Sequence, residues 1–279
     1  MHHVIINLMK FIYFILSLFL SNVVAAQNAP YSIDHCSQFT SYYSIDIPSN
    51  SIRPICRKAY LSYYDYSKKV PLIVTYTIDK SKAIGCSIRS NKFEGDESIE
   101  ATYRSMPFDY NHSGYDKGHL APNADMSWDS ETELESFYMT NMAPQIPGFN
   151  RGIWKSLETY VRNLAYSGYS LSIVSGAVFN TNHPKIIGNG VSVPTGFFKV
   201  ITNLESNEVI AFFFPFNKSS SFSLYSYQIS LASLESQTNY KFSFNFSLDK
   251  TKIINPWLAT KSVSSDKSLK CSKSHSISF

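Results

Sequence analysis

The sequence predicts a mixed α+β fold in one domain, and three observations predict it. β-Branched and aromatic runs stand before and after a single long amphipathic segment, polar stretches between them read as loops, and no internal repeat imposes a solenoid. The chain has 279 residues, 44% hydrophobic and 16% charged, and its 11 Gly and 12 Pro are too few for a collagen-like or low-complexity protein. A domain of this size buries roughly 70–75% of its unfolded surface, enough to fix a site without a disulfide scaffold. The formal charge of +4 favours anionic partners only weakly, because it does not say where the charges sit. Aromatic residues reach 15%, with 20 Phe, 19 Tyr and 3 Trp. They fit a β-rich core, with a stacking surface for bases as the alternative.

At the N-terminus, Lys10 precedes the apolar run from Phe11 to Leu20, and Val24, Ala25 and Ala26 offer the small residues a signal peptidase needs. That run is shorter than the roughly 18–20 residues that span a bilayer. Residues 1–26 therefore read as a signal peptide cleaved after Ala26, with an uncleaved membrane tether as the alternative. The expected destination is secreted or periplasmic, with no stable membrane association after cleavage. Residues 27–69 read as an N-terminal arm, looped from Ile33 to Cys56, residues 70–262 as the main domain, and residues 263–279 as a loosely ordered polar tail. Four cysteines, at 36, 56, 86 and 271, suit an oxidising compartment. Three pairings are open, and the 19 residues between Cys36 and Cys56 make that the shortest loop to close.

Within the main domain, Val70 to Ile78 is a β-branched run and reads as a buried strand, followed by a second candidate from Ala83 to Arg89. The chain is then polar and loop-like to Tyr115. From Asn150 to Tyr166 the residues Ile153, Trp154, Leu157, Tyr160, Val161 and Leu164 fall at helical spacing, and Gly168 is placed to end that helix. Further strands are expected over 169–179, 195–203 and 208–216, and a second helix around Leu231 to Ser236.

The densest chemistry lies in the middle. Tyr115-Asp116-Lys117-Gly118-His119-Leu120-Ala121-Pro122 groups an acid, a base, a flexible glycine and an imidazole whose ordinary pKa suits proton abstraction near neutral pH. Alone, that window also fits a structural histidine. Downstream, Phe137-Tyr-Met-Thr-Asn141-Met-Ala-Pro-Gln145 leads to Asn150, Arg151, Gly152, Trp154 and Leu157-Glu158. At about 100° and 1.5 Å per residue, Asn150 and Glu158 differ by about 80° and about 12 Å, so both can face one cleft. Their oxygens suit a hydrated Mg²⁺, although Asn150 could equally cap the helix. His35, His112 and His183 suggest no site. Asp125, Asp129, Glu131, Glu133 and Glu135 read as the start of a short helix, and Phe212 to Phe216 as core strand.

These two blocks resemble the DNA/RNA non-specific endonuclease family, the ββα-metal nucleases. The family's Asp-Arg-Gly-His stands here as Asp116-Lys117-Gly118-His119, and its second block as Thr140 to Gln145, Asn150, Gly152, Trp154 and Leu157-Glu158. The resemblance implies a mixed-sheet core with a ββα-metal finger and an exported enzyme that hydrolyses phosphodiester bonds of DNA and RNA. Little sequence preference and 5′-phosphate ends are implied with it. It makes His119 the general base, Asn150 the direct ligand of one Mg²⁺, with Mn²⁺ admissible in its place, and Glu158 the holder of that ion's waters. Arg89 is the match for an essential arginine before the first block, with Arg104 as rival. Asn141 matches a family residue beside the site, and Lys117, Asp116 and Arg151 fall where substrate is bound. Lys117 departs from the family's arginine, which keeps the charge and loses the planar fork. That departure favours the second reading, a secreted nucleic-acid-binding protein of the same fold with an impaired catalytic site.

Overall fold

Strands that the sequence scatters along its length lie side by side in one antiparallel sheet. The structure, a computed structural model, describes residues 30–181, 183–216, 223–263 and 271. The segment expected to be a signal peptide and most of the expected polar tail therefore lie outside the described residues.

The strands are β1 (Tyr43–Asp46), β2 (Ile52–Cys56), β3 (Leu61–Asp65), β4 (Val70–Ile78), β5 (Asp116–His119), β6 (Met142–Gln145), β7 (Leu171–Val178), β8 (Ile186–Ile187), β9 (Val191–Ser192), β10 (Gly196–Asn203), β11 (Val209–Pro215), β12 (Gln228–Ile229) and β13 (Lys241–Phe244). Seven of them form the main sheet in the order β12-β11-β10-β7-β4-β3-β2. Its central strands are covered on both faces, which is why they read as unbroken apolar runs. Successive side chains still alternate: Leu72, Val74, Tyr76 and Ile78 enter one core layer, while Ile73 enters the other. The first layer is closed by the helical segment that carries Trp154, Leu157, Val161 and Leu164. The second is closed by the helix Leu231–Thr238 and the β1–β13 ribbon, through Leu231, Leu234, Tyr43 and Phe242.

Strands β4, β7, β10 and β11 stand where the sequence puts them, and Gly168, at φ +115°, ends the central helix in the left-handed conformation. Three expectations are corrected. The arm expected to be looped contributes β2 and β3 to the main sheet. Its pattern is masked by buried polar residues such as Ser62, whose hydroxyl donates to the Thr140 carbonyl at 2.6 Å, and Asp65, which accepts from Ser49 and Ser67. The strand expected over Ala83 to Arg89 is absent; Asp79 accepts from the backbone of Ser81 at 2.8 Å and caps a one-turn helix, Lys80–Ala83, after which the chain is irregular. The single helix expected from Asn150 is a wider π turn over Asn150–Trp154, broken at Gly152, followed by the α-helix Lys155–Ser167. Cys36 bonds Cys56, and Cys86 bonds Cys271.

Candidate active site

The site rests on the side of the sheet that the central helix covers. β5 and β6 pair antiparallel, with His119 opposite Met142 and Asp116 opposite Gln145, and the chain runs from β6 through the π turn into the helix. This is a ββα unit. Gly118 lies under the Gln145 side chain so closely that a Cβ would come within 2.1 Å of it. The glycine of the first block thus lets the two strands and their side chains close up. Trp154 reaches back and donates its indole N–H to the His119 carbonyl at 3.2 Å, tying helix to strand.

A cleft of about 640 Å³ opens over this unit, and Arg89, Asp116, Lys117, His119, Asn150, Arg151 and Glu158 all line it. The imidazole of His119 packs against a pair of rings, tilted at 5.8 Å from Phe93 and edge-on at 5.2 Å from Phe137, which themselves meet at 4.9 Å. Burial first, then the Arg89 guanidinium, push its pKa down from 6.5 to about 3, so the ring is neutral at physiological pH. Its Nε2 is buried and has no hydrogen-bond partner among the described residues.

The cations around it are held in different ways. Arg89 donates to Asn91 at 2.7 Å and Asn123 at 3.2 Å and lies 4.9 Å from the Phe137 ring. Lys117 has no ion pair among the described residues and sits over the Phe93 and Tyr110 rings, at 5.0 and 5.9 Å. Arg151 grips Asp116 with both arms of its fork, at 2.6 and 2.8 Å. Burial opposes ionisation of Asp116, yet the bonds from Arg151 and Asn150 hold its carboxyl below the ordinary range. A carboxylate can only accept, so the Asn150 Nδ2 must face Asp116, which it does at 2.9 Å. The Asn150 Oδ1 is thereby turned away from Asp116 and left available as a hard oxygen ligand.

Arg162, which also lines the cleft, donates to Asp125 at 2.6 Å, and Tyr76 donates to the other Asp125 oxygen at 2.8 Å. Lys199, fully buried, donates to Ser175 at 2.5 Å and lies 4.6 Å from the Trp154 ring. Burial pushes the Glu158 carboxyl up against the pull of Lys199 and Arg162.

The geometry places Asn141 beside the site as a support and moves Asp125. Asn141 does not line the cleft. It is fully buried, accepts from the Ala121 N–H at 2.9 Å and donates to the carbonyls of Ala121 and Ser136, and so holds the loop that follows His119. Asp125 does not belong to the acidic helix start; Asp129 caps Ser130–Glu135, while Asp125 pairs Arg162. Arg104 donates to the carbonyls of Ile99 and Glu97 and is not a cleft residue. Arg162 carries a sequence signal that was there to read, four residues after Glu158. Phe93 and Phe137 carry none in so aromatic a chain.

The arrangement has relatives. The family model of DNA/RNA non-specific endonucleases matches residues 40–248. The chain belongs to the DNA/RNA non-specific endonuclease family. It is 34% identical over 203 residues to a nuclease of Nostoc sp., a match covering 68% of this chain and 73% of that protein. It is also 34% identical over 156 residues to human mitochondrial endonuclease G, covering 52% of each, so it spans about half the length of that relative. Among solved structures, one described as the EndoG/EndoGI complex superposes with a TM-score of 0.64 at 28% identity, covering 74% of this chain and 90% of that one. As a member of the DNA/RNA non-specific endonuclease family the chain is a hydrolytic nuclease, with an α+β fold matching that structure.

The donor set fits a hydrated hard cation. Among the described residues no group of three or more His, Cys, Asp or Glu could hold a metal. One free amide oxygen on Asn150 with Glu158 in the same cleft suits an ion that keeps most of its own waters.

Proposed function

We propose that the chain is an exported, Mg²⁺-dependent endonuclease that cleaves phosphodiester bonds in DNA and RNA with little sequence preference and leaves 5′-phosphate ends. The observation that carries the reading is the neutral His119 imidazole, held against two phenylalanine rings in a cleft it shares with Arg89, Lys117 and the Asn150 amide.

His119 takes the proton of the attacking water; its lowered pKa keeps it unprotonated and ready to do so. Arg89 and Lys117 hold the phosphate and offset the charge that grows on its oxygens. Asp116 acts indirectly, fixing the Asn150 amide so that Oδ1 faces outward, while its pair with Arg151 leaves Arg151 a support of Asp116 more than a free hand for substrate. Asn150 would be the direct protein ligand of the ion and Glu158 would hold its coordinated waters. Bound there, Mg²⁺ would supply Lewis-acid stabilisation of phosphate and leaving oxygen. These contacts address phosphate and cation, and none reads a base edge, which supports weak sequence preference. Two disulfides support export, since such bonds persist in oxidising compartments.

The test is degradation of plasmid DNA and of RNA by the mature protein with Mg²⁺, with EDTA, and after His119→Ala. Cleavage confined to the first condition, with ends that accept ligation through a 5′-phosphate, is the expected result. Binding without cleavage in all three would favour the impaired-site reading.

A further inference from the structure

A second groove, of about 700 Å³, adjoins the cleft where β5 and β6 begin and end. Tyr115, one residue before Asp116, lines both spaces, so the groove and the cleft adjoin at its side chain. The walls of the groove are apolar, with Pro184, Pro194 and Phe216 around it and Ile146, 41% exposed, at the end of β6. Among the described residues no acidic residue lines it, and its cation is the exposed Lys185, whose ammonium stands 4.9 Å from the centre of the Tyr115 ring. Lys117 lies on the cleft side of the same tyrosine, so a polyanion leaving the cleft past Tyr115 meets positive charge on both sides and flat apolar walls beyond.

We propose that this groove seats unpaired bases flanking the scissile phosphate and makes single-stranded DNA and RNA the preferred substrate class. The inference rests on the nuclease reading of the cleft. A base within a duplex has both faces stacked on its neighbours and its edge paired, and has no surface to offer the groove. A base of a single strand turns a π-face to Tyr115 or Phe216 at little cost, while Lys185 meets the next phosphate.

The test uses the full mature chain with Ile146→Glu and Lys185→Glu, two exposed positions whose change does not threaten the core. Three substrates are compared: a labelled single strand, the duplex of the same sequence, and bis(p-nitrophenyl) phosphate, which is too small to reach the groove. Both variants should raise KM for the single strand about five-fold or more, as the loss of one stacked base or phosphate contact implies, with kcat unchanged and the small ester hydrolysed as by wild type. The wild type should show a lower KM for the single strand than for the duplex. An unchanged single-strand KM in both variants overturns the proposal, as does an equal rise for the small ester or an equal wild-type KM for the two polymers. If the wild type cleaves no substrate, the nuclease reading fails by itself. The groove is then judged by fluorescence anisotropy with the same single strand, where a Kd raised in both variants upholds it and an unchanged Kd overturns it.

Discussion

Two charged clusters flank the second sequence block, and they differ in where their bonds end. Behind it, Arg57 is fully buried, donates to Asp96 at 2.6 Å and stacks 4.4 Å from the Tyr138 ring. Asp96 accepts from Ser98 at 2.6 Å on one oxygen and from Thr140 at 2.6 Å on the other. Burial opposes ionisation of Asp96, but the Arg57 charge and these hydroxyls hold its carboxyl below the ordinary range. Every bond of this carboxylate closes within the protein. In front, the cleft leaves bonds open: Lys117 rests on rings and Asn150 offers an oxygen, while the buried His119 Nε2 has no partner among the described residues. A cluster whose bonds close inside holds the fold, and one whose bonds stay open awaits a partner from outside. Thr140 and Asn141, adjacent in sequence, serve both, one bonding Asp96 and the other the loop after His119.

The comparison yields a ranked set of outcomes. His119→Ala should cost the largest factor, about 10²–10⁴ in kcat for plasmid cleavage, the range of a general base, while thermal unfolding stays close to wild type. Asp96→Ala should do the reverse. Removing the main partner of the buried Arg57 charge, with Glu135 at 3.9 Å a weaker one, should lower stability by about 3–5 kcal/mol in urea titrations, with kcat of the folded fraction retained. A large loss of stability in the first variant, or of kcat in the second, would erase the distinction between the clusters.

The protonation of His119 gives a smaller but sharper effect. Because its pKa falls from 6.5 to about 3 on folding, the unfolded chain binds the proton first. The group therefore costs no stability above pH 6.5, and stability is lost progressively as pH falls from there towards 3. Followed by NMR, the His119 ring should stay neutral down to about pH 4, and Arg89→Met should raise its pKa by removing a nearby positive charge. A ring that titrates near 6.5 in the folded wild type would contradict the burial described here. The smallest effect belongs to Lys117→Arg. Restoring a planar fork should lower KM for nucleic acid by about two- to five-fold with kcat little changed.

The sequence shows β4, β7, β10 and β11 plainly, because strands buried on both faces are written as unbroken apolar runs. It hides β3, whose buried Ser62 is a polar residue satisfied far along the chain by the Thr140 carbonyl and whose buried Asp65 is satisfied by Ser49 and Ser67, and β2, whose Arg53 and Pro54 are exposed and break the apolar run. The same limit governs the site. Residue types and spacing bring Arg89, Asp116, Lys117, His119, Asn150, Arg151 and Glu158 to one cleft, but they do not say which way Asn141 faces, and it faces inward. Nor can they pick out Phe93 and Phe137 as the rings that support the imidazole, since a ring that packs and a ring that positions look alike until the fold brings His119 against them.

The most direct test of a cation and an imidazole meeting across one phosphate is a crystal structure of the mature chain with Mn²⁺ and a phosphorothioate single strand. The account predicts an anomalous peak beside Asn150 Oδ1, with a phosphate lying between that ion and the His119 ring. An ion bound away from Asn150, or a strand whose phosphates bypass His119, would contradict it.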